Sequence, residues 1–363
     1  MAGIHNGQVN EQYLRDVDTS RLKTECDTEA LLHLYKQKGE FAILKNIPGA
    51  YTLAIADKRR REVTVLRDRT GIKPGCLGWK DGKYGVASED VAFRKNGGKF
   101  YEDLVPGYAY YLDESGDFRK EKVIESCPRF CFFEYNYLAD EDSIIDGVSV
   151  RSVRQNLGRQ MAEEFHPDDI DLVTFVPNCP ETAAKAYAEA LEVPFATVFY
   201  KMRNERSFQG TNENQRTQSI NSNLYPLKRI HPTRMSEDVL PISWLRGKSV
   251  VSIDDSTVRG TVAKRERKLL KELGAEKTYH ANYTPQIGII GEDGAPRGCK
   301  FGIDMPPDDG FVARERNLEE ISKELGMETF YISNEGMLNA FERAGMPPEH
   351  LARFCIGGRH PFD

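Results

Sequence analysis

The stretch Val250-Val251-Ser252-Ile253-Asp254-Asp255-Ser256-Thr257-Val258-Arg259-Gly260-Thr261 limits the possible folds more than any other part of the chain. A β-branched apolar run stops at two carboxylates, passes through small and hydroxyl residues to a glycine, and gives way to a charged amphipathic segment. That order predicts a buried strand opening into an anion-binding turn and then a helix. Two acids at the C-terminal edge of a parallel strand can hold a sugar diol or a hydrated magnesium ion, while amides of the turn and helix start cradle a phosphate. The ligand that suits both features is a phosphorylated sugar. A second reading of the same pair is that Asp254 and Asp255 only cap the helix behind them.

A chain of 363 residues with ordinary apolar content and no repeat has enough core for about two domains. Its net charge of −6 argues against general nucleic-acid binding, which needs a basic face to neutralise phosphates. The cluster Lys58-Arg59-Arg60-Arg61 falls between two strand-like runs and reads as a solvated hairpin tip. The sequence has no apolar run long enough to cross a membrane and no signal-peptide pattern at Met1, so a cytoplasmic location is expected. Seven irregularly spaced cysteines fit reduced thiols or a partial metal site better than disulfides.

Two patterns divide the chain. Ala50-Tyr51-Thr52-Leu53-Ala54-Ile55-Ala56, Glu62-Val63-Thr64-Val65-Leu66-Arg67 and Tyr84-Gly85-Val86-Ala87 alternate with period two and predict antiparallel strands. After residue 148 the rhythm changes to helix, then the strand Asp171-Leu172-Val173-Thr174-Phe175-Val176, a helix from 183 to 191, and the strand Phe195-Ala196-Thr197-Val198-Phe199. Strand, helix, strand in that rhythm predicts a parallel sheet with right-handed crossovers. A long polar connection from 228 to 246 precedes the central strand, and 263–273 and 277–283 predict the next helix and strand.

The turn after the central strand resembles the phosphoribosyl-pyrophosphate (PRPP) loop of type I phosphoribosyltransferases. The form Asp-Asp-Ser-x-Val-Arg-Gly-Thr resembles the amidophosphoribosyltransferase family in particular. The resemblance implies an α/β chain with an α+β N-terminal part. In it, the remnant of an N-terminal-nucleophile glutaminase αββα domain over 1–125 precedes a type I phosphoribosyltransferase parallel-sheet domain over 126–363. It also implies phosphoribosylamine formation in purine biosynthesis, Mg2+ as cofactor, and a homo-oligomer.

Within the N-terminal part, His5-Asn6-Gly7 and Asp27-Thr28-Glu29 are similar to the family's glutamine-site motifs, so the roles fall on Asn6, Gly7 and Asp27. On physics alone the acid and Thr before Ala30-Leu31-Leu32 are a helix start. Arg67-Asp68-Arg69-Thr70-Gly71-Ile72-Lys73-Pro74 and Ala87-Ser88-Glu89 are similar to glutaminase halves of amidotransferases generally. The family begins Met-Cys-Gly-Ile and exposes a Cys whose own amine serves as base. Here Met1-Ala2-Gly3-Ile4, an echo with Ala for Cys or a coincidence, runs straight into His5, and Cys26 has no amine beside it. Without a terminal thiol, covalent glutamine hydrolysis has no nucleophile. The expectation is therefore a chain truncated relative to the family, using free ammonia or ammonia from a separate glutaminase partner.

Farther on, Phe133-Glu134-Tyr135-Asn136-Tyr137 resembles the family's Phe-Glu-Tyr-x-Tyr linker, with Asp140 where an Arg is usual. Asn178 and Cys179 stand at the pyrophosphate turn in place of an acid and a hydroxyl residue, and a thiol is a poor ligand for magnesium. Lys201, Arg203 and Arg206 resemble the mobile loop whose cations offset the leaving pyrophosphate. The resemblance assigns PRPP to Asp254, Asp255, Ser256, Thr257, Val258, Arg259, Gly260, Thr261 and Val262, with Asp254 and Asp255 on the magnesium ion. Some family members hold a four-iron cluster on four cysteines. Cys131, Cys299 and Cys355 match three positions and Ala352 the fourth, so three structural thiols are expected in place of the cluster. Two functions follow: a transferase that joins ammonia to the ribose of PRPP, or a PRPP-sensing or scaffold protein that has lost turnover.

Overall fold

The computed structural model describes all residues except 15, 16, 19–21, 202–223, 236–238, 300, 302, 304, 308, 309 and 363. Period-two sequence in the first third folds as expected into antiparallel strands. These are β1 (Ala2–Gln8), β2 (Ala50–Asp57), β3 (Glu62–Arg67), β4 (Cys76–Lys80), β5 (Lys83–Ala87), β6 (Lys99–Asp103), β7 (Tyr108–Asp113) and β8 (Phe118–Lys122). One sheet has the order β1-β2-β3-β7-β8 and a smaller one the order β5-β4-β6. Alternation sends Tyr51, Leu53, Ile55 and Leu66 against helices α1 (Asp27–Lys38) and α2 (Glu40–Asn46), while Val65, Tyr110 and Leu112 meet Leu77 of the smaller sheet. The layering is helix, sheet, sheet. The basic cluster does sit at the β2–β3 tip, where Arg59, Arg60 and Arg61 pair with Asp57, Glu40 and Glu114.

The aromatic linker is core, as its composition suggested: Phe132, Phe133 and Tyr135 are buried with the second sheet's helices. Two buried ion pairs tie it to the first third. Fully buried Arg67 donates to both oxygens of Asp146, at 2.6 and 2.8 Å, and Lys73 donates to Glu134 at 2.6 Å. Removing one partner of such a pair leaves an uncompensated buried charge, so these contacts fix the linker against the antiparallel part.

A short helix, α3 (Val91–Arg94), precedes β6. After the linker come α4 (Val150–Glu164), β9 (Leu172–Phe175), α5 (Glu181–Ala190), β10 (Ser249–Asp254), α6 (Thr261–Glu272), β11 (Lys277–Asn282), α7 (Leu318–Leu325), β12 (Glu328–Tyr331) and α8 (Asn334–Arg343). The four strands form one parallel sheet in the order β9-β10-β11-β12. On one face Val173, Phe175, Val251, Ile253 and Ala281 pack against α4, α5 and α8. On the other, Leu172 and Val250 meet Leu269 and Leu270 of α6.

Two expectations change. The segment 195–199 adds no strand to the sheet: its backbone meets β9 at a single bridge from Phe195 to Val173, and the strand Phe199–Lys201 pairs antiparallel with Leu224–Pro226 instead. The connection 228–246 is polar in sequence but folds onto the sheet, burying Ile230, Leu240 and Leu245. Sparse apolar residues suffice there because Leu172 and Val250 offer a ready surface. Among the described residues no helix is long and apolar enough to cross a membrane.

Candidate active site at the end of the central strand

Strand β10 has a neighbour on each side, so its backbone is satisfied until Asp254, its last residue. The chain then turns through 255–260 into α6. Gly260 adopts φ 77°, and a side-chain carbon there would lie 2.5 Å from Leu325 Cδ2, so only glycine passes this point without displacing α7. Every residue from Asp254 to Val262 lines one cleft, with Lys201 among them and Phe133, Tyr137, Val176, Ile303 and Met305 as apolar wall.

Both acids are buried, at 5% and 8% exposure. Burial, followed by the charge of Asp255, holds Asp254 well above the usual carboxylate range. Asp255 is pushed up to about 6 by burial, against a Ser256 hydrogen bond and the field of Lys201. The Asp255 amide donates to Asp254 Oδ1 at 2.9 Å, and the Ser256 hydroxyl to Asp255 Oδ2 at 2.9 Å. Two adjacent buried carboxyls facing a cleft, both held above their usual range, are an arrangement that a hard cation relieves. Among the described residues no group of three or more His, Cys, Asp or Glu is placed to enclose a metal. Asp254 and Asp255 therefore fit a magnesium ion that keeps water and substrate oxygens as its other ligands.

The remaining expected residues fall in different places. Lys201 ends its strand with its charge acting on both acids. Arg203 and Arg206 lie outside the described residues. Asn178 is exposed and holds φ 116°, and the Cys179 thiol donates to the Tyr137 carbonyl at 3.2 Å. Burial, followed by the Asp255 charge, pushes that thiol up to about 12, and a soft thiol is poorly matched to magnesium. Neither residue is in the cleft lining.

Asn6, Gly7 and Asp27 are brought together through β1 and the start of α1, with His5 Nδ1 2.9 Å from Thr28 Oγ1 and 3.6 Å from Asp27 Oδ1. Asn6 Nδ2 donates to Ser88 Oγ at 3.0 Å, and the Val9 amide donates to Asp27 Oδ2 at 2.8 Å. At Gly7 a side-chain carbon would stand 1.9 Å from the Ala50 carbonyl, so the β1–β2 pairing itself demands glycine.

Cys131, Cys299 and Cys355 do converge, on a small apolar cavity that Ala352 also lines. Burial, then Glu134 and Cys299, pushes the Cys131 thiol up to about 12, and burial with its two neighbouring thiols raises Cys355 as well. Three thiols opposite the Ala352 methyl group leave the cavity one ligand short of a four-iron cluster.

Sequence reading missed the residues under the turn. Thr257 points down, donating to Asn282 Oδ1 at 2.7 Å with His280 Nε2 2.8 Å away, and His280 Nδ1 lies 3.1 Å from Glu266 Oε2. The signal was present in β11, where Thr278, His280 and Asn282 alternate on one face of a buried strand.

Residues 3–112 match the family model described as a glutamine amidotransferase domain. Amidophosphoribosyltransferase of Bacillus subtilis strain 168 is 32% identical over 94% of this chain and 70% of its own length. That of Archaeoglobus fulgidus is 32% identical over 99% of this chain and 77% of its own. The solved structure of the glutamine PRPP amidotransferase from B. subtilis complexed with ADP and GMP superposes with a TM-score of 0.80 at 29% identity, covering 99% of this chain and 77% of that one. This chain, from its amidotransferase-like first third to its parallel sheet, thus belongs to the amidophosphoribosyltransferase family.

Proposed function

We propose that the cleft binds PRPP and that the chain joins ammonia to its ribose, giving 5-phosphoribosylamine and pyrophosphate for purine biosynthesis. The observation that carries this reading is the buried pair Asp254 and Asp255, both raised above the usual carboxylate range, at the mouth of a glycine-ended turn. The turn 256–262 cradles the 5′-phosphate with backbone amides. The two carboxylates take the ribose hydroxyls and the magnesium ion, whose charge, when bound, would polarise the pyrophosphate oxygens. Lys201 offsets charge on the departing pyrophosphate, and the apolar wall keeps water from the ribose carbon. The bond from C1 to the pyrophosphate oxygen breaks, the bond from C1 to nitrogen forms, and ammonia releases a proton. The amidotransferase-like part and the transferase part divide near residue 125.

Ammonia is the nitrogen donor in this reading, supplied free or by a separate glutaminase; among the described residues the thiol beside Asp27 is that of Cys26. Cys26 is exposed, its Sγ 3.9 Å from Asp27 Oδ1, and its backbone nitrogen is an amide donating to Thr24. A second reading, a PRPP sensor without turnover, is favoured by Cys179, whose thiol is turned onto a backbone carbonyl where a hydroxyl contact to pyrophosphate is expected.

Pyrophosphate release with PRPP, Mg2+ and ammonium, run beside Asp254→Asn, separates the readings. Ammonium-dependent release lost in the variant supports the transferase. Tight PRPP binding without release supports the sensor, and no affinity for PRPP by calorimetry overturns both.

A further inference from the structure

The network beneath the turn fixes where protons reside. Asn282 Nδ2 donates to the Phe330 carbonyl at 3.0 Å, which orients the amide so that Oδ1 faces Thr257. The single hydroxyl proton of Thr257 goes to that oxygen at 2.7 Å. Thr257 Oγ1 must then accept from His280 Nε2 at 2.8 Å, so Nε2 carries a hydrogen. The opposite nitrogen, Nδ1, lies 3.1 Å from a carboxylate oxygen of Glu266, and that contact needs a proton of its own, on one atom or the other. His280 and Glu266 are both fully buried, and Glu266 Oε1 has no hydrogen-bond partner, so a lone carboxylate here would be costly.

We propose that Glu266 and His280 share one proton as a neutral positioning pair, which locks Thr257 and with it the phosphate turn. The consequence for the substrate rests on the PRPP reading above. The pair itself does not.

The groups facing the pair are few. His280 comes from β11 and Glu266 from α6. Asp254 and Asp255 stand at the end of β10, Lys201 on the short strand across the cleft, and the Tyr331 hydroxyl of β12 lies beside Thr257 outside hydrogen-bonding geometry. Across the sheet, Thr174, Ser252, His280 and Thr329 sit in one register row, all buried. The cross-strand partners of His280 are thus hydroxyls that carry no charge.

The test reads the His280 ring directly, by 15N NMR of wild-type protein labelled at histidine, the His280 signals being assigned by their loss in His280→Gln. Nε2 is expected to carry the hydrogen that Thr257 accepts. A bare Nε2, with the ring hydrogen on Nδ1 facing an ionised Glu266, overturns the pair. If His280→Gln does not fold, through-bond correlation within the ring assigns the signals in the wild type. A purely structural role would change the melting temperature and leave PRPP affinity alone. The KM for PRPP is expected to rise about tenfold in His280→Leu with a smaller change in kcat. An absence of PRPP binding in every form, with hydrogen found on His280 Nε2, would overturn the PRPP reading and leave the pair standing.

Discussion

Asp27 and Asp254 are both acids at the end of a regular element, each beside a proposed ligand site, and their surroundings are opposite. Burial acts against ionisation of Asp27, but His5 and the Val9 amide outweigh it and hold the carboxyl below its usual range. Asp254 has burial and Asp255 acting in the same direction, with Lys201 as a distant counterweight, and sits well above that range. A carboxylate already satisfied inside the protein stabilises the fold. One left unsatisfied destabilises the free protein and stores affinity for a cation. The difference separates the part of the chain that acts as scaffold from the part that binds.

The largest effect should come from removing the stored charge. Asp254→Asn is expected to lower PRPP-dependent pyrophosphate release on the order of 100-fold or more while raising the melting temperature of the free protein. A drop in both activity and stability would break the comparison. Next, pH should act on the two acids with opposite sign. Asp255 is raised to about 6, so its contribution to stability is present in acid and is lost as pH rises through about 6. Asp27 is lowered, so its contribution is present above the usual carboxylate range and is lost as pH falls through its depressed value. Thermal melts of Asp255→Asn and Asp27→Asn from pH 4 to 8 check this, and Mg2+ should flatten the wild-type profile above about pH 6. Asp27→Asn should destabilise by about 1 kcal/mol in urea unfolding near pH 7, opposite in sign to Asp254→Asn. The smallest effect is expected at the three thiols: anaerobic treatment with iron and sulfide should give no visible charge-transfer band, and an intense band would reverse the assignment of that cavity.

The parts legible in sequence were those written in consecutive residues. The PRPP-loop string, the alternation of β2 and β3, and the apolar run of β10 each specify a local geometry, and the structure keeps all three. The glycine at 260 could be read as the hinge between strand and helix because no other residue passes there cheaply. Less legible were contributions from residues distant in sequence. Glu266 looks like one more charge on a basic amphipathic helix, and His280 like a polar interruption in a strand, until α6 folds back over β11. Ile230, Leu240 and Leu245 are too widely spaced to announce a packed segment, yet they share a surface with Leu172 and Val250.

By itself, the sequence determined the class of fold, the place where a ligand would meet it, and the glycine and carboxylates needed there, because these depend on backbone sterics and on neighbours within a few residues. Only tertiary structure decided the burial of those carboxylates, the convergence of three cysteines on one cavity and the contact between Glu266 and His280 beneath the turn. Charge and proton position follow from burial and from partners across space, and a linear chain does not show which of its distant residues will exclude water from the same few ångströms.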